Sequence, residues 1–325
     1  MARGLATARA HPNIAFIKYW GNRDEVLRLP ANSSLSMNLA ELHTTTTVQF
    51  DASFDKDELY LGGRVANPEQ TTRVSQFLEL VRQMAASHEF ARVESKNNFP
   101  SGAGIASSSS AFAALALAAS SAADLNLDEQ TLSRLARRGS GSASRSVPGG
   151  FVEWHSADND EDSFAASIVP ADHWDLVDCI AIVSEEHKNV GSTEGHKLAA
   201  TSPLQTTRLQ GAEQRMDLCR AAVMDRDFDA LAQVVELDCH LMHAVMMTSQ
   251  PGLHYWLSAS VAIMSAVRGW RSTGTPVCYT LDAGPNVHVI CQASVADQVA
   301  RDLQNIPGVL RVLSSGVGGP AELVS

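Results

Sequence analysis

The stretch Phe99-Pro100-Ser101-Gly102-Ala103-Gly104-Ile105-Ala106-Ser107-Ser108-Ser109-Ser110 runs directly into the apolar segment Ala111 to Ala119. Gly102 and Gly104 permit close approach to the backbone, and four consecutive hydroxyls can donate hydrogen bonds. A helix beginning here turns its unpaired N–H groups and positive dipole end toward the loop, an arrangement suited to a polyphosphate. A serine-rich connector with a helix cap is the plainer reading of the same residues, since a lone glycine-rich loop is a weak motif. No Lys follows the last Gly as a P-loop needs, and the spacing is not that of a dinucleotide-binding turn.

Upstream of the loop the chain is strand-rich. Asn13 to Ile17 is a short apolar strand that ends on Lys18-Tyr19-Trp20-Gly21-Asn22-Arg23-Asp24, and a Lys directly after a buried strand is unusual. Leu29 to Leu39 joins a turn to alternating apolar and polar residues, and Thr44 to Phe50 is a β-branched strand. Glu58 to Leu61 with Gly62-Gly63 reads as a hairpin, and Glu69 to Ser87 has helical spacing of Val74, Phe77, Leu78, Val81 and Met84.

Downstream, a helix over Leu127 to Arg137 stops at Gly139 and meets Ser140-Gly141-Ser142-Ala143-Ser144-Arg145-Ser146. A flexible loop is the simple reading, but the apolar Phe151 to Trp154 follows closely and anchors it. A planar, always charged Arg among hydroxyls suits a carboxylate or phosphate. Asp158 to Asp162 reads as a solvated acidic loop, Leu176 to Val183 as a buried strand, and Glu185 to His196 as a polar loop. Helices are expected over Thr206 to Met224, Asp227 to Met247 and Leu257 to Trp270. His240 and His243 share a helix face, which suits packing better than a metal site because no completing cluster is visible, and no metal-ligating residues are assigned. Asp282 sits in a tight turn between two apolar strands, able to cap the turn or face a substrate; Gly316 to Pro320 reads as an irregular tail.

With 325 residues, 45% of them hydrophobic, the chain is long enough for roughly two domains. A net charge of −11 argues against a general nucleic-acid or anionic-membrane surface, so an anionic ligand must be captured locally. Five scattered cysteines signal neither a disulfide framework nor a thiolate metal site and fit a reducing cytoplasm. No export signal is read, and the longest apolar stretch falls short of the roughly 20 residues that span a bilayer.

Taken together, Asn13 to Asp24, Pro30 to Leu39, Phe99 to Ser110, Arg137 to Ser146 with Gly149 to Trp154, and Leu281 to Asn286 resemble the ATP-dependent mevalonate diphosphate decarboxylases of the GHMP kinase superfamily. The resemblance implies a two-domain α/β (α+β) GHMP kinase-like fold, with an ATP-binding domain over 1–184, a second α+β domain over 185–325 and the active site in the cleft between them. It implies a small-molecule substrate, ATP and Mg2+ as cofactors, and a homodimer. In the family, ATP phosphorylates the 3-hydroxyl of a phosphorylated mevalonate, phosphate departs, and the C1 carboxylate leaves as carbon dioxide. Asp282 then corresponds to the catalytic carboxylate, Lys18 to the active-site lysine, and Arg145 to the arginine that holds the substrate carboxylate. Ser107, with Gly102, Ala103, Gly104 and Ser108, corresponds to the ATP phosphate loop, while Tyr19, Asn22, Ser140, Ser142 and Ser192 fall where the family contacts the C5 phosphate.

One departure bears on the substrate. Family members acting on the diphosphate commonly carry Lys where this chain has Asn22, and often a basic residue where it has Thr193. Two missing cations weaken binding of a more highly charged tail and matter less for a monophosphate. The expected reaction is therefore decarboxylation of mevalonate 5-phosphate to isopentenyl phosphate. Mevalonate 5-diphosphate is the alternative, since hydroxyls, backbone N–H groups or Arg23 could substitute for the lost charge. A mevalonate 3-kinase that stops before decarboxylation, or a nonenzymatic ligand sensor, fits less well with Lys18, Ser107, Arg145 and Asp282 all present.

Overall fold

A computed structural model describes residues 4–99, 107–186 and 191–324. In the first of its larger sheets, Thr44–Asp51 buries Thr44, Thr46, Val48 and Phe50 on one face, as a period of two demands. It pairs antiparallel with Leu5–Ala10 and with Phe90–Asn97. Glu58–Leu61 extends this sheet and turns through Gly62-Gly63 onto Arg64–Val65, as the expected hairpin. The helix Ser107–Ala122 packs its alanines against Ala6, Ala8 and Ala10, and small residues on both partners hold the helix close to the sheet. Behind it lie the helices Pro68–Ala85 and Glu129–Gly139, the latter capped by the Asp128 carboxylate, which accepts the Thr131 N–H.

The second sheet runs in the order Ala165–Val169, Phe151–Trp154, Ser34–Asn38, Asn13–Ile17, and its last three strands are wholly buried. The third runs Val277–Thr280, Val287–Gln292, Leu176–Ile182, Arg311–Gly316. Between these two sheets lie the helices Ala212–Asp225 and Phe228–Thr248. Their Met216, Cys219, Val223, Leu231 and Val235 join Ile14, Phe16, Phe151, Ile180 and Ile290 in one continuous core. On the opposite face of the third sheet, Ser258–Ser272 and Ala296–Gln304 bury Ile263, Val267, Val299 and Leu303. The strand Leu176–Ile182 precedes residue 184 yet pairs only with strands from the later part of the chain, and Glu322–Leu323 returns to pair with Leu5–Ala10. A strand from before residue 184 thus joins the later sheet, and the last strand of the chain joins the first sheet.

Several local expectations are corrected. The helix expected over Thr206 to Met224 is two, Gln205–Gln210 and Ala212–Asp225, broken at Gly211. A Cβ on Gly211 would lie 2.7 Å from the Arg215 guanidinium, which reaches back to the Arg208 carbonyl exposed by the break. Within the expected polar loop, Ser192–Leu198 is helical. The expected irregular tail is tied in by hydrogen bonds from Gly318 N–H to the Asn38 carbonyl and from Gly150 N–H to the Gly318 carbonyl, before the final strand. The acidic stretch is more than a solvated loop: Asp160 pairs with Arg134 and with the fully buried Arg137. No helix among the described residues is long and apolar enough to cross a membrane.

Candidate active site

The buried strand Asn13–Ile17 delivers Lys18 into the interior with its side chain 1% exposed, where an ammonium needs a counter-charge. Nζ donates to Asp282 Oδ1 at 2.7 Å, joining positions 264 residues apart. The lysine backbone is fastened as well. Its N–H donates to Asp238 Oδ2 at 2.7 Å, and its carbonyl accepts from Arg208 Nη2 at 2.7 Å and Asn32 Nδ2 at 3.0 Å. Asp238 also takes Arg215 Nε at 2.7 Å, so one buried carboxylate and two buried guanidiniums lock the end of the strand.

Asp282 follows Val277–Thr280, at the turn into Val287–Gln292. Burial alone would raise its pKa. The Lys18 charge, helped by His288 and Arg145, outweighs burial and holds the carboxyl below its ordinary value. Arg145 lies in the 3-10 turn Gly141–Ser146, 3% exposed. Burial lowers its pKa to about 10, against the raising influence of Asp282 and Tyr19. Its Nε donates to Ser36 Oγ and Asn13 Oδ1, one Nη1 hydrogen to Ser34 Oγ, and one Nη2 hydrogen to Asn13 Oδ1. One N–H on each terminal nitrogen remains, a planar fork without a carboxylate partner among the described residues.

These groups line a cavity of about 300 Å³. At its other end Tyr19 packs edge-on to Trp154 and stacks on His196 with centroids 4.0 Å apart. The Tyr19 hydroxyl donates to Asn22 Oδ1, and burial raises its pKa. Gly141 is required beneath this ring, because a Cβ there would lie 2.5 Å from a Tyr19 ring carbon. Gly195 likewise lets the helix Ser192–Leu198 approach Trp20, where a Cβ would come within 2.6 Å. A run of hydroxyls, Ser108 to Ser140 at 3.3 Å and Ser140 to Ser142 at 3.5 Å, links the first turn of Ser107–Ala122 to this end.

Lys18, Tyr19, Ser107, Ser108, Ser140, Ser142, Arg145, Ser192 and Asp282, all expected from sequence, share this cavity. Asn22 does not line it; its amide donates to Glu25 while its carbonyl holds the Tyr19 hydroxyl. Gly102, Ala103 and Gly104 lie outside the described residues. Arg23, considered as a substitute cation, pairs with Asp158 away from the cavity. Sequence reasoning missed Arg28, His196 and Asn13, all on the cavity wall. The available signal for Arg28 was a charge between Leu27 and Leu29 just before Pro30. His240 Nε2 lies 2.9 Å from the Tyr279 hydroxyl and His243 packs on Trp256. Among the described residues no group of three or more His, Cys, Asp or Glu could hold a metal ion.

A helix N-terminus rich in hydroxyls, a Lys–Asp pair and a guanidinium without a carboxylate partner among the described residues, set around one cavity, are the parts of a phosphoryl-transfer site. Residues 10–165 match the model for the diphosphomevalonate decarboxylase-like N-terminal domain, and residues 179–312 that for the mevalonate 5-diphosphate decarboxylase C-terminal domain. The chain belongs to the mevalonate diphosphate decarboxylase family, has its GHMP kinase-like fold, and is an ATP-dependent carboxy-lyase. A solved structure described as MDDEF in complex with MVAPP, AMPPCP and magnesium superimposes with a TM-score of 0.93 at 40% identity, over 99% of each chain. The diphosphomevalonate decarboxylase of Candida albicans is 35% identical over 98% of this chain and 97% of its own length. The phosphomevalonate decarboxylase of Haloferax volcanii is 36% identical over the same shares.

Proposed function

We propose that this chain carries out the ATP-dependent decarboxylation of a mevalonate phosphorylated at C5, with Asp282, Lys18 and Arg145 at the reacting end of the cavity. The observation that carries this reading is the placement of the Lys18–Asp282 pair and the Arg145 fork on the wall shared with Ser107 and Ser108. Asp282 Oδ accepts the hydrogen of the C3 hydroxyl and aims its oxygen. In a loose phosphoryl transfer little covalent help is needed beyond this positioning, so a carboxylate of low basicity suffices. Lys18 keeps Asp282 ionised and offsets negative charge beside it. Arg145 holds the C1 carboxylate through its two remaining N–H groups, so the C1–C2 bond is aligned to supply electrons as the C3–O bond breaks. The C1–C2 electron pair becomes the C2=C3 double bond as phosphate leaves C3, so the products are carbon dioxide, inorganic phosphate, ADP and an isopentenyl chain that keeps its C5 phosphate.

Mg-ATP, when bound, supplies the phosphoryl group that turns the C3 oxygen into a leaving group. The first turn of the 16-residue helix Ser107–Ala122, with the Ser107 and Ser108 hydroxyls, fits its phosphates, and Mg2+ fits as their counterion with few protein ligands. The substrate tail admits two readings. Most of the named relatives are diphosphomevalonate decarboxylases, which supports the 5-diphosphate. The tail end of the cavity supports the 5-monophosphate, since Arg28 is on its wall but Thr193 there is uncharged, Asn22 is engaged with Tyr19, and Arg23 is turned away. We carry the monophosphate forward, with isopentenyl phosphate as product, and keep the diphosphate as the alternative. A homodimer and a reducing cytoplasmic setting belong to the same proposal, the latter supported by five free, buried cysteines.

Carbon dioxide release from C1-labelled mevalonate 5-phosphate and 5-diphosphate, compared side by side with Mg-ATP, tests the reading. The expected result is one carbon dioxide per ADP and a preference for the monophosphate. Preference for the diphosphate selects the alternative, and ADP without carbon dioxide from either substrate makes the chain a 3-kinase.

A further inference from the structure

The charges around the cavity differ in how they are compensated. Lys18 is paired with Asp282, Arg208 and Arg215 with Asp238, and Arg23 with Asp158. Arg28 lines the cavity, is partly exposed, and makes no hydrogen bond or ion pair with any described residue. Its backbone has φ +51°, a left-handed conformation that a non-glycine residue adopts only at a cost.

Burial dominates the pKa values of Tyr19, His196 and Asp282; after it the Arg28 charge acts on Tyr19 and His196, and the Lys18 charge on Asp282. Arg28 ends the turn between the paired strands Asn22–Asp24 and Leu29–Pro30, and Asn22 of the same ribbon accepts the Tyr19 hydroxyl, which puts Arg28 at the Tyr19 end of the cavity. Arg73 lies close enough to feel it and is pulled down to about 10, mainly by burial and then by Arg28. Glu25 faces Tyr19 from the same turn, but its carboxylate is taken by the Asn22 amide.

His196 completes this end. Its ring is held between Tyr19 and Trp20, at centroid distances of 4.0 and 4.6 Å. Nδ1 accepts the Gly21 N–H at 3.0 Å, which places the ring proton on Nε2. Burial, with the Arg28, Arg208 and Arg145 charges, lowers its pKa to about 3, so the imidazole is neutral and Nε2 is a donor. No described residue accepts that hydrogen. Arg145 and Arg28 are thus two guanidiniums on the cavity wall without carboxylate partners among the described residues, Arg145 in the turn Gly141–Ser146 and Arg28 on the ribbon that holds the Tyr19 hydroxyl, which matches a ligand with an anion at each end.

We propose that Arg28 and His196 grip the C5 phosphate of the substrate, Arg28 by charge-assisted hydrogen bonds and His196 by its Nε2–H. This rests on the reading that the substrate is a C5-phosphorylated mevalonate.

The test measures binding of mevalonate 5-phosphate, mevalonate 5-diphosphate and unphosphorylated mevalonate to the full chain by calorimetry, together with steady-state kinetics. Arg28→Asn removes the charge while tolerating the left-handed backbone, and Arg28→Lys keeps the charge. Arg28→Asn is expected to weaken binding of the phosphorylated ligands by about 10- to 100-fold, as loss of a charge-assisted contact would. The loss falls on the substrate KM, leaves the KM for ATP and the affinity for mevalonate unchanged, and is largely recovered in Arg28→Lys. His196→Gln gives a smaller loss of the same kind, and Arg23→Asn, outside the cavity, gives none. Unchanged affinity for the phosphorylated ligands in Arg28→Asn, or an equal rise in the KM for ATP, overturns the assignment. A wild-type preference for the diphosphate overturns only the monophosphate reading, because the same variants measured on the diphosphate still decide whether Arg28 holds the tail.

Discussion

The two ends of the cavity are built on different principles. At the reacting end every charge is fixed by the protein: Lys18 by Asp282 and the Asp238 cluster, and Arg145 by Asn13, Ser34 and Ser36. At the tail end Arg28 has no partner among the described residues, and a neutral imidazole offers an unused N–H. A preorganised end keeps its geometry whether or not ligand is present, which suits groups that act on developing charge. A cation that no described residue holds in place gains its partner from the ligand, so Arg28 contributes to affinity and selection rather than to the chemical step.

The largest expected effect that would sharpen this contrast is at Asp282. Asp282→Asn keeps the shape but removes the acceptor charge, and kcat for carbon dioxide release is expected to fall about 10²- to 10⁴-fold with the substrate affinity within a few-fold of wild type. A fall confined to KM would break the division between the two ends. Next comes Asp238, which touches no cavity ligand in this reading. Asp238→Asn strands Arg215 and Arg208 as buried cations and is expected to cost about 3–5 kcal/mol of stability, read by urea unfolding. A loss of activity with unfolding unchanged would make Asp238 more than a support for Lys18.

The pH profile gives a smaller signal. Lys18 lowers the Asp282 pKa against the raising effect of burial, and in the proposed mechanism the ionised carboxylate is the active form. In Lys18→Met the Asp282 pKa rises, so the acid limb of the residual kcat/KM moves to higher pH; an unmoved limb would separate the two residues functionally. The smallest effect is expected from adding charge to the tail end. Asn22→Lys with Thr193→Arg is expected to shift the ratio of kcat/KM values toward the diphosphate by several-fold with little change in kcat. A shift in kcat instead would show that the tail end is coupled to the chemistry.

Much of the proposed catalytic set was legible in the sequence because the motifs that carry the family resemblance contain it, each member in a distinctive local context. Lys18 follows a buried strand, Arg145 stands among small hydroxylated residues, and Asp282 occupies a turn between apolar strands. Arg28 and His196 were not legible. Arg28 lies in an ordinary-looking turn whose left-handed backbone is invisible in the residue types, and His196 acquires its role only because Gly195 brings its helix against Trp20. The break at Gly211 was missed for a related reason: the helical periodicity continues through it, while the Arg215 side chain that occupies the gap is a tertiary contact.

By itself the sequence determined many of the strands and helices, the serine-rich helix start and, through motifs shared with a known family, the residues suited to transfer a phosphoryl group and hold a carboxylate, since these depend on local pattern and side-chain chemistry. Only the tertiary structure decided that Lys18 meets Asp282 across 264 residues, that Asp238 with two arginines fixes the lysine backbone, and that Arg28 rather than Arg23 faces the cavity. Those pairings follow from strand register, helix packing and one left-handed residue. Such contacts are set by where distant segments of the chain come to rest, and no local stretch encodes them.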